Sequence, residues 1–345
     1  MPGNLSHPAR IAWVCTAALV VFVAWLAAPG SADIGIGFFY AVPVGAAAWW
    51  WGARAAIAAV IGCTALYVVG AQIHPVEDFG PALATRVAAF AAVALAAVAA
   101  GRRLAMLEHS AEELEAIRAA LAPSQLPDLP AVDAAAAFVP SELGVSGDFY
   151  LLTNGPDGST VAIVGDVAGH GAEAARLATF VRARFAALAA STSDPAELLM
   201  LANTALVERP RRQRKLVSAV CLRYRAQDSL LSCAVAGHPP PLRLPGLAEL
   251  PLSAETFLLG ATADLTLENA ERSLAQGEGV LAYTDGATDV RRAGATLGLQ
   301  GLRGLLASCT GLPAKEMMDR AEGAILDWAE TPIRDDLCIL VLKPK

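Results

Sequence analysis

The sequence lacks several patterns that would define its class. Its six cysteines never form a Cys-x-x-Cys pair and lie in apolar segments, so we predict neither a disulfide framework nor a zinc site. It also lacks a basic excess, because 26 Lys and Arg against 33 Asp and Glu give a net charge of -7. That balance argues against non-specific binding to nucleic acid. None of the usual motifs for a serine or cysteine nucleophile occurs.

Charged residues are scarce in the first hundred positions, which are rich in Ala and other apolar residues. Four apolar stretches occur there, at residues 11–28, 34–51, 53–73 and 82–100. Each is close to the roughly 20 residues that span a bilayer as a helix. We therefore predict an all-α, four-helix transmembrane domain over residues 1–101.

The residues that flank these stretches predict their orientation. Basic side chains stand before the first stretch, between the second and third, and after the fourth, at Arg10, Arg54, Arg102 and Arg103. The other two loops, 29–33 and 74–81, contain no Lys or Arg. The positive-inside rule then predicts a multi-pass protein of the cell (inner) membrane with both ends in the cytoplasm. Two alternatives stay open, a cleaved signal peptide at the first stretch and buried helices of a soluble domain.

Residues 102–130 are predicted to form a helical signalling linker. Its apolar residues recur three, four or seven positions apart, at Leu104, Leu107, Ala111, Leu114 and Leu121. That spacing is typical of a short parallel coiled coil, so we expect a homodimer through the linker helix. A helix packed on its own domain explains the spacing equally well. Three prolines end the helix and mark the start of a domain over residues 131–345, at Pro123, Pro127 and Pro130.

The remaining chain alternates short apolar runs with turns and helical patterns. We predict strands at residues 149–153, 161–164, 217–224, 230–235, 279–283 and 337–342. We predict helices at residues 172–190, 195–207 and 314–329, and a hairpin turn at 225–228. Because strands and helices do not alternate strictly, the order favours an α+β fold with α/β/β/α layers.

Acidic residues stand at the ends of several predicted strands. Asp148, Asp166 and Asp285 each adjoin a glycine, and Asp335 and Asp336 precede the last strand. Taken singly, each suits a turn. As a set without His or Cys, they indicate a site for Mg²⁺ or Mn²⁺. Two such ions can activate a water and hold a phosphoryl group for in-line attack.

Five motifs together resemble one protein family. In chain order they are Val145-Ser-Gly-Asp-Phe-Tyr, Gly165-Asp-Val-Ala-Gly-His-Gly, Ala236-Gly-His-Pro-Pro-Pro, Tyr283-Thr-Asp-Gly and Asp335-Asp-Leu. They are similar to the metal-dependent Ser/Thr protein phosphatases of the PPM family, in its sporulation stage II E-like branch. The resemblance covers about residues 121–343. It implies an α/β/β/α sandwich with two Mn²⁺ or Mg²⁺ ions, and a phosphoprotein substrate supplied in trans, in this branch often an anti-sigma-factor antagonist.

The resemblance also implies roles for individual residues. The metal ligands it implies are Asp148, Asp166, Val167 through its backbone carbonyl, Asp285 and Asp335. Asp148 and Asp166 would bridge the two ions and so take part directly in catalysis. Asp335 is preferred to Asp336 because the first acid of the pair is the usual ligand.

Two histidines and one basic run remain ambiguous in the sequence. His170 is placed among the catalytic residues, as a proton donor or a partner of the ligands, but a hydrogen-bonded turn histidine fits as well. His238 stands before three prolines, and we interpret it as structural. The basic run at residues 209–215 suits either an acidic or phosphorylated partner or a solvated loop.

The leading prediction is a membrane-anchored metal-dependent phosphatase that acts on phosphoserine or phosphothreonine in a cytoplasmic regulatory protein. Two rivals remain. In the first, the domain binds a partner without turnover and the protein is a membrane scaffold. In the second, the same metal site hydrolyses a small-molecule or nucleotide phosphoester.

Overall fold

The computed structural model describes residues 7–27, 37–73, 79–121, 126–141, 147–210, 214–252, 257–329, 333 and 335–345. The chain divides into two compact units, Met1–Glu112 and Glu113–Lys345. Several predicted features lie wholly or partly outside the described residues. They include the ends of the first two apolar stretches, the loops at 29–33 and 74–81, Pro123, the start of the motif at 145–150 and the middle of the basic run at 209–215.

The first unit is helical. Its elements are α1 (His7–Ala27), a 3-10 turn (Gly37–Tyr40), α2 (Ala41–Trp51), α3 (Ala53–Ile73) and the first part of α4 (Phe79–Leu121). Gly52 separates α2 from α3, and its φ of +78° is one that a glycine adopts without strain. The predicted fourth span and the predicted linker helix therefore form one continuous helix.

Two helices of the first unit are long and apolar enough to cross a membrane, Ala53–Ile73 and Phe79–Leu107. This statement rests on length and composition alone. The 11 residues of α2 rise only about 16 Å as an α-helix, about half the thickness of a bilayer core. The structure thus supports two of the four predicted spans, and four spans are not shown.

Arg86 lies inside the first unit. It is buried, its guanidinium carbon is 4.5 Å from the ring centroid of Tyr67, and its Nη1 donates to the carbonyl of Ala82 at 3.1 Å. A cation over an aromatic face is stabilised most where water is excluded. Arg86 therefore faces the interior of the helix bundle.

The second unit contains two antiparallel sheets. Their strands are β1 (Val132–Val139), β2 (Phe149–Asn154), β3 (Thr160–Val167), β4 (Val217–Arg225), β5 (Leu230–Ala236), β6 (Leu242–Leu244), β7 (Ala270–Ser273), β8 (Gly279–Tyr283) and β11 (Leu337–Pro344). One sheet has the order β1-β11-β8-β6 and the other β2-β3-β4-β5-β7. A separate short hairpin pairs β9 (Arg291–Arg292) with β10 (Ala295–Thr296). The turn predicted at 225–228 is confirmed, because β4 and β5 pair up to Arg225 and Leu230.

Helices cover the outer face of each sheet. They are α5 (Ala172–Ala189) and α6 (Pro195–Val207) on the five-stranded sheet, and α7 (Gly298–Leu306) and α8 (Ala314–Trp328) on the four-stranded one. Along β3, Ile163 packs toward α5 and α6, whereas Val164 packs into the core between the sheets. Along β11, Ile339 and Leu340 divide in the same way. The alternation explains the continuous apolar runs, and the predicted α/β/β/α sandwich is confirmed.

The elements that the sequence analysis omitted are short or atypical in composition. The longest strand among them is β1, whose sequence Val-Asp-Ala-Ala-Ala-Ala-Phe-Val is dominated by alanine. Alanine favours helices and is depleted in strands, so local propensity points the wrong way there. Pairing with all eight residues of β11 holds this segment in the sheet.

The C-terminal turns of α4 belong to the second unit and pack into its core. Ile117 and Leu121 are buried in the core beneath α5 and α6. Leu104 and Leu107, further toward the N-terminus, are exposed, whereas the side chains of Ala111 and Leu114 lie outside the described residues. Packing on its own domain therefore accounts for the end of the predicted stripe, and the coiled coil stays a prediction for the rest.

Two leucines on α6 test this layer assignment. Leu199 is fully buried and Leu201 is 38% exposed on the same helix. We expect Leu199→Ala to lower the free energy of unfolding by about 2–5 kcal/mol, because it leaves a cavity. Leu201→Ala should cost less than about 1 kcal/mol. Urea unfolding followed by circular dichroism measures both, and equal effects would contradict the layering.

Candidate metal centre

The first two acids come from neighbouring strands of the five-stranded sheet. Asp148 immediately precedes β2, and Asp166 is the penultimate residue of β3. The antiparallel register pairs Phe149 with Gly165, so the next position along the ladder sets Asp148 opposite Asp166. Both share the strand face of residues that pack between the two sheets. Sequence alternation thus directs the two carboxylates toward the second sheet.

The other acids come from two neighbouring strands of the four-stranded sheet. Asp285 lies two residues after the end of β8, and Asp335 and Asp336 directly precede β11. These strands pair antiparallel, and the backbone N–H of Thr284 donates to the carbonyl of Cys338 at 3.0 Å. The end of one strand therefore meets the beginning of the other. All the predicted acids are gathered at one end of the sandwich.

A hydrogen bond joins the two sheets at this point. The Thr284 hydroxyl donates to Asp148 Oδ2 at 2.6 Å and accepts from the Cys338 N–H at 3.1 Å. Asp148 is 2% exposed and Thr284 is fully buried. A buried carboxylate needs such a donor, because an unpaired charge in the interior is costly. Thr284 thus holds Asp148 in one position.

Two glycines of the motifs permit close approach of the backbone to the acids. A Cβ on Gly147 would stand 2.8 Å from Asp166 Oδ1 and would clash with the backbone of Val167. A Cβ on Gly286 would clash with the carbonyl of Asp336. Glycine is therefore required at both positions to bring these chain segments together.

The acids raise each other's pKa. Burial, followed by the charge of Asp166, raises the pKa of Asp148 well above its usual range. Burial, followed by the charge of Asp285, raises the pKa of Asp166 to about 6. Burial also raises the pKa of Asp335, to which the charge of Asp285 adds. The acids thus form one electrostatic group. A bound cation would favour their ionised forms, because it offsets the repulsion between the carboxylates.

The donor set suits a hard divalent cation, although the side chains alone do not enclose one. Among the residues that the structure describes, no three Asp, Glu, His or Cys side chains are close enough together to hold an ion. Mg²⁺ usually takes one or two carboxylates and keeps several waters. Carboxylate pairs supplemented by water and a backbone carbonyl therefore fit Mg²⁺ or Mn²⁺.

The structure distinguishes Asp335 from Asp336. Asp336 is buried, and its Oδ1 accepts from the backbone N–H of Ser141 at 2.7 Å. Asp335 is only partly buried, and its Oδ1 accepts from the backbone N–H of Asp336 at 2.9 Å. Its position nearer solvent and its coupling to Asp285 agree with the preference for Asp335 as the ligand.

Val167 is the last residue of β3, and His170 lies in the turn that follows. Val167 is buried, and its N–H donates to the carbonyl of Gly147 at 3.2 Å. His170 is exposed, between Gly169 and Gly171, whose φ values are +102° and +83°. Within the described part of the chain, His170 has no hydrogen bond or ion pair, so the alternative of a hydrogen-bonded turn histidine gains no support.

His238 is part of the scaffold beside the acids. It is buried, its Nδ1 forms a 2.8 Å hydrogen bond with Ser218 Oγ, and Ser218 pairs with Asp166 across the sheet. Burial lowers the pKa of His238 to about 3, so the imidazole is neutral at pH 7. These contacts agree with a structural role for His238, whose side chain forms a hydrogen bond with Ser218 on β4.

The sequence analysis missed two residues of the site. Thr284 was quoted in a motif without a role, and only the fold shows that it reaches Asp148, 136 positions away. Burial, followed by the charge of Asp289, raises the pKa of Asp285. The backbone N–H of Asp289 also donates to the Asp285 carbonyl at 2.8 Å. Its spacing of four residues from Asp285, across a short turn, was the available signal.

Comparison with known proteins identifies the family of this chain. The family profile described as Stage II sporulation protein E (SpoIIE) matches residues 156–345, which is more than half of the chain. The chain belongs to the SpoIIE family. Four of the five quoted motifs lie within the matched residues, and only the one at Asp148 precedes them.

Individual relatives of this SpoIIE-family chain are distant. "Phosphoserine phosphatase RsbU" of Bacillus subtilis (strain 168) is 24% identical over 224 residues, which cover 64% of this chain and 66% of that protein. The chain thus spans just under two thirds of that relative's length.

Solved structures show the fold. The SiaA-PP2C domain of Pseudomonas aeruginosa superposes with a TM-score of 0.62 at 23% identity, covering 71% of this chain and all of that one. The RsbU and RsbW domains of a Mycobacterium tuberculosis protein give 0.54 at 22% identity, covering 64% and 61%. The second unit therefore has the PP2C phosphatase fold.

Gly147 provides a test of the close approach at the site. We expect Gly147→Ala to weaken Mn²⁺ binding about 10- to 100-fold, because the added methyl group displaces Asp166 and Val167. Gly323→Ala on α8 is the matched control, since no atom lies within 4 Å of its Cβ. Titration calorimetry measures the affinity of both variants for Mn²⁺. Equal affinities would show that Gly147 is an ordinary turn residue.

The raised pKa of Asp166 predicts an unusual pH dependence for the metal-free protein. The folded state holds this proton more tightly than the unfolded chain, whose pKa is near 3.8. The resulting stabilisation is complete below the unfolded pKa and is lost as the pH rises through about 6. We therefore expect the thermal midpoint without metal to fall between about pH 5 and pH 7.

The same melting experiment has two controls. Asp285→Asn removes the charge that raises the pKa of Asp166, so the fall should become shallower. Asp327→Asn, at an exposed position on α8, should leave it unchanged. Adding Mn²⁺ at pH 7 should restore the midpoint, and a flat profile in wild type would contradict the electrostatic coupling.

Proposed function

We propose that this protein is a metal-dependent phosphatase that hydrolyses phosphoserine or phosphothreonine in a regulatory protein supplied in trans. The observation that carries the proposal is the group of mutually coupled carboxylates at the end of the two sheets, in a SpoIIE-family chain with the PP2C fold. The name of the B. subtilis relative, a phosphoserine phosphatase, supports the choice of substrate bond.

The residues proposed to hold two Mn²⁺ or Mg²⁺ ions are Asp148, Asp166, Asp285, Asp335 and the backbone carbonyl of Val167. When bound, such a pair supplies a nucleophile from water at neutral pH and neutralises charge on the phosphoryl group. Thr284 keeps Asp148 oriented and opposes the effect of burial on its pKa, which favours the ionised form that a cation requires.

His170 is the proposed proton donor to the leaving serine or threonine oxygen. It is exposed on the turn that directly follows Asp166 and Val167, so a bound phosphoprotein can reach it. Histidine is the side chain that most often transfers a proton in catalysis near neutral pH.

The domain organisation belongs to the proposal as well. Residues 1–101 anchor the protein in the inner membrane through four spans, residues 102–130 form a signalling linker that dimerises, and residues 131–345 hydrolyse the phosphoester in the cytoplasm. The two long apolar helices and the placement of arginines support the anchor. For the substrate we propose an anti-sigma-factor antagonist, on the strength of the family resemblance.

An activity assay of the full chain in a nonionic detergent tests the proposal. We expect turnover of phosphoserine and phosphothreonine peptides with Mn²⁺ or Mg²⁺, and none with a chelator. Asp166→Asn and Asp285→Asn should each lower kcat/KM on the order of 100-fold, because they remove negative charge from the proposed ligands. Asp319→Asn, an exposed acid on α8, is the control and should retain full activity.

Other outcomes point to the rival functions. Faster turnover of nucleotides than of phosphopeptides would contradict the proposed substrate class and favour a small-molecule hydrolase. Calorimetry that shows no binding of Mn²⁺ or Mg²⁺, together with no turnover, would favour a non-catalytic scaffold.

A further inference from the structure

A short basic segment stands out from the acidic chain. Residues 209–215 read Arg-Pro-Arg-Arg-Gln-Arg-Lys, so five of the seven carry a positive charge in a protein whose net charge is -7. The structure describes residues 209, 210, 214 and 215 of this basic segment, between the end of α6 and the start of β4.

The basic segment adjoins the turn that follows Asp166. The N–H of Ala168 donates to the carbonyl of Leu216 at 2.9 Å, so the two stretches run side by side. Lys215 Nζ lies 3.2 Å from the point where a Cβ on Gly169 would stand. The positive charge of Lys215 is thus placed beside the turn that leads from the acidic group to His170.

Several arginines elsewhere in the second unit form ion pairs with carboxylates. They include Arg223, Arg225, Arg243 and Arg303. Within the described residues, neither Arg209 nor Arg214 has a carboxylate oxygen within 4.0 Å. Arg214 is exposed and donates through Nε to the carbonyl of Arg209 at 2.8 Å.

Arg209 and Lys215 are held in place by weak contacts. The Arg209 guanidinium carbon lies 4.8 Å from the ring centroid of Phe180 on α5. Lys215 is 3.5 Å from Glu173, whose side chain is 74% exposed. Exposed ion pairs contribute little to stability, so Lys215 can exchange Glu173 for another anion at small cost.

We propose that Arg209, Arg214 and Lys215 form the docking surface for an acidic region of the phosphoprotein substrate, next to its phosphorylated residue. The proposal rests on the proposed function and names the surface chemistry that this site selects. Arginine side chains that have no carboxylate partner within the described residues suit an external carboxylate, which arginine binds through two parallel hydrogen bonds. The contact with the turn after Asp166 favours a substrate over an anionic membrane surface, since docked acids would lie beside the reacting phosphate.

Two phosphoserine peptides serve as probes. They have the same core sequence and differ only in flanking residues, Asp and Glu in one and Asn and Gln in the other. The enzyme is the full chain in nonionic detergent with Mn²⁺. The test variant is Arg214→Gln/Lys215→Gln. The control is Lys315→Gln/Arg320→Gln, which removes the same charge from exposed ion pairs on α8.

We expect the wild type to prefer the acidic peptide, and the test variant to lose that preference. The ratio of kcat/KM for the acidic over the neutral peptide should fall about 5-fold, as two exposed charge contacts imply. The control variant should keep the wild-type ratio. Salt at about 1 M, where the Debye length is about 3 Å, should remove the wild-type preference.

Fluorescence anisotropy of the same labelled peptides gives a readout that needs no turnover. If the wild type binds the acidic peptide better but hydrolyses neither, docking stands and the proposed activity fails. An unchanged ratio and unchanged anisotropy in the test variant would overturn the docking proposal. So would a variant that loses only its binding to phosphatidylserine vesicles, because the surface would then face the membrane.

Discussion

The hydrogen bond from Thr284 to Asp148 fixes the relation between the two sheets at the end where function is expected. It is 2.6 Å long, lies out of contact with water, and continues through Thr284 into the backbone of β11. The relative positions of the proposed metal ligands depend on this bond, because Asp148 belongs to one sheet and Asp285 to the other. A buried carboxylate that loses its donor would turn toward water and leave the group incomplete.

The carboxylates that this bond brings together repel one another, and this repulsion lowers the stability of the folded state without metal. The acids lie at strand ends, where rigid ladders and close glycine contacts prevent them from separating. Sites of this kind store unfavourable electrostatic energy that a bound cation releases. The metal-free protein is therefore less stable, but its carboxylates are already positioned for a cation. Functional sites in general are preorganised in this way.

Periodicity and strand-end chemistry were enough to predict the sandwich and the acids of the site. The run at Val161–Val164 predicts a strand buried on both faces, and the structure divides its residues between two cores. Contacts between distant segments could not be predicted: Thr284 reaches Asp148 only in the folded chain, and β1 forms a strand against its alanine-rich propensity. In the first unit, the stretch predicted at 34–51 ends where α2 ends, but a 3-10 turn at Gly37–Tyr40 precedes α2 and leaves it only 11 residues.

The most direct measurement is anomalous X-ray scattering at the manganese edge, from crystals of the protein grown with Mn²⁺. The account predicts two anomalous peaks about 3.5–4 Å apart, between the carboxylates of Asp148 and Asp166 on one sheet and Asp285 and Asp335 on the other. Peaks at other positions, or the absence of peaks from these four carboxylates, would contradict it.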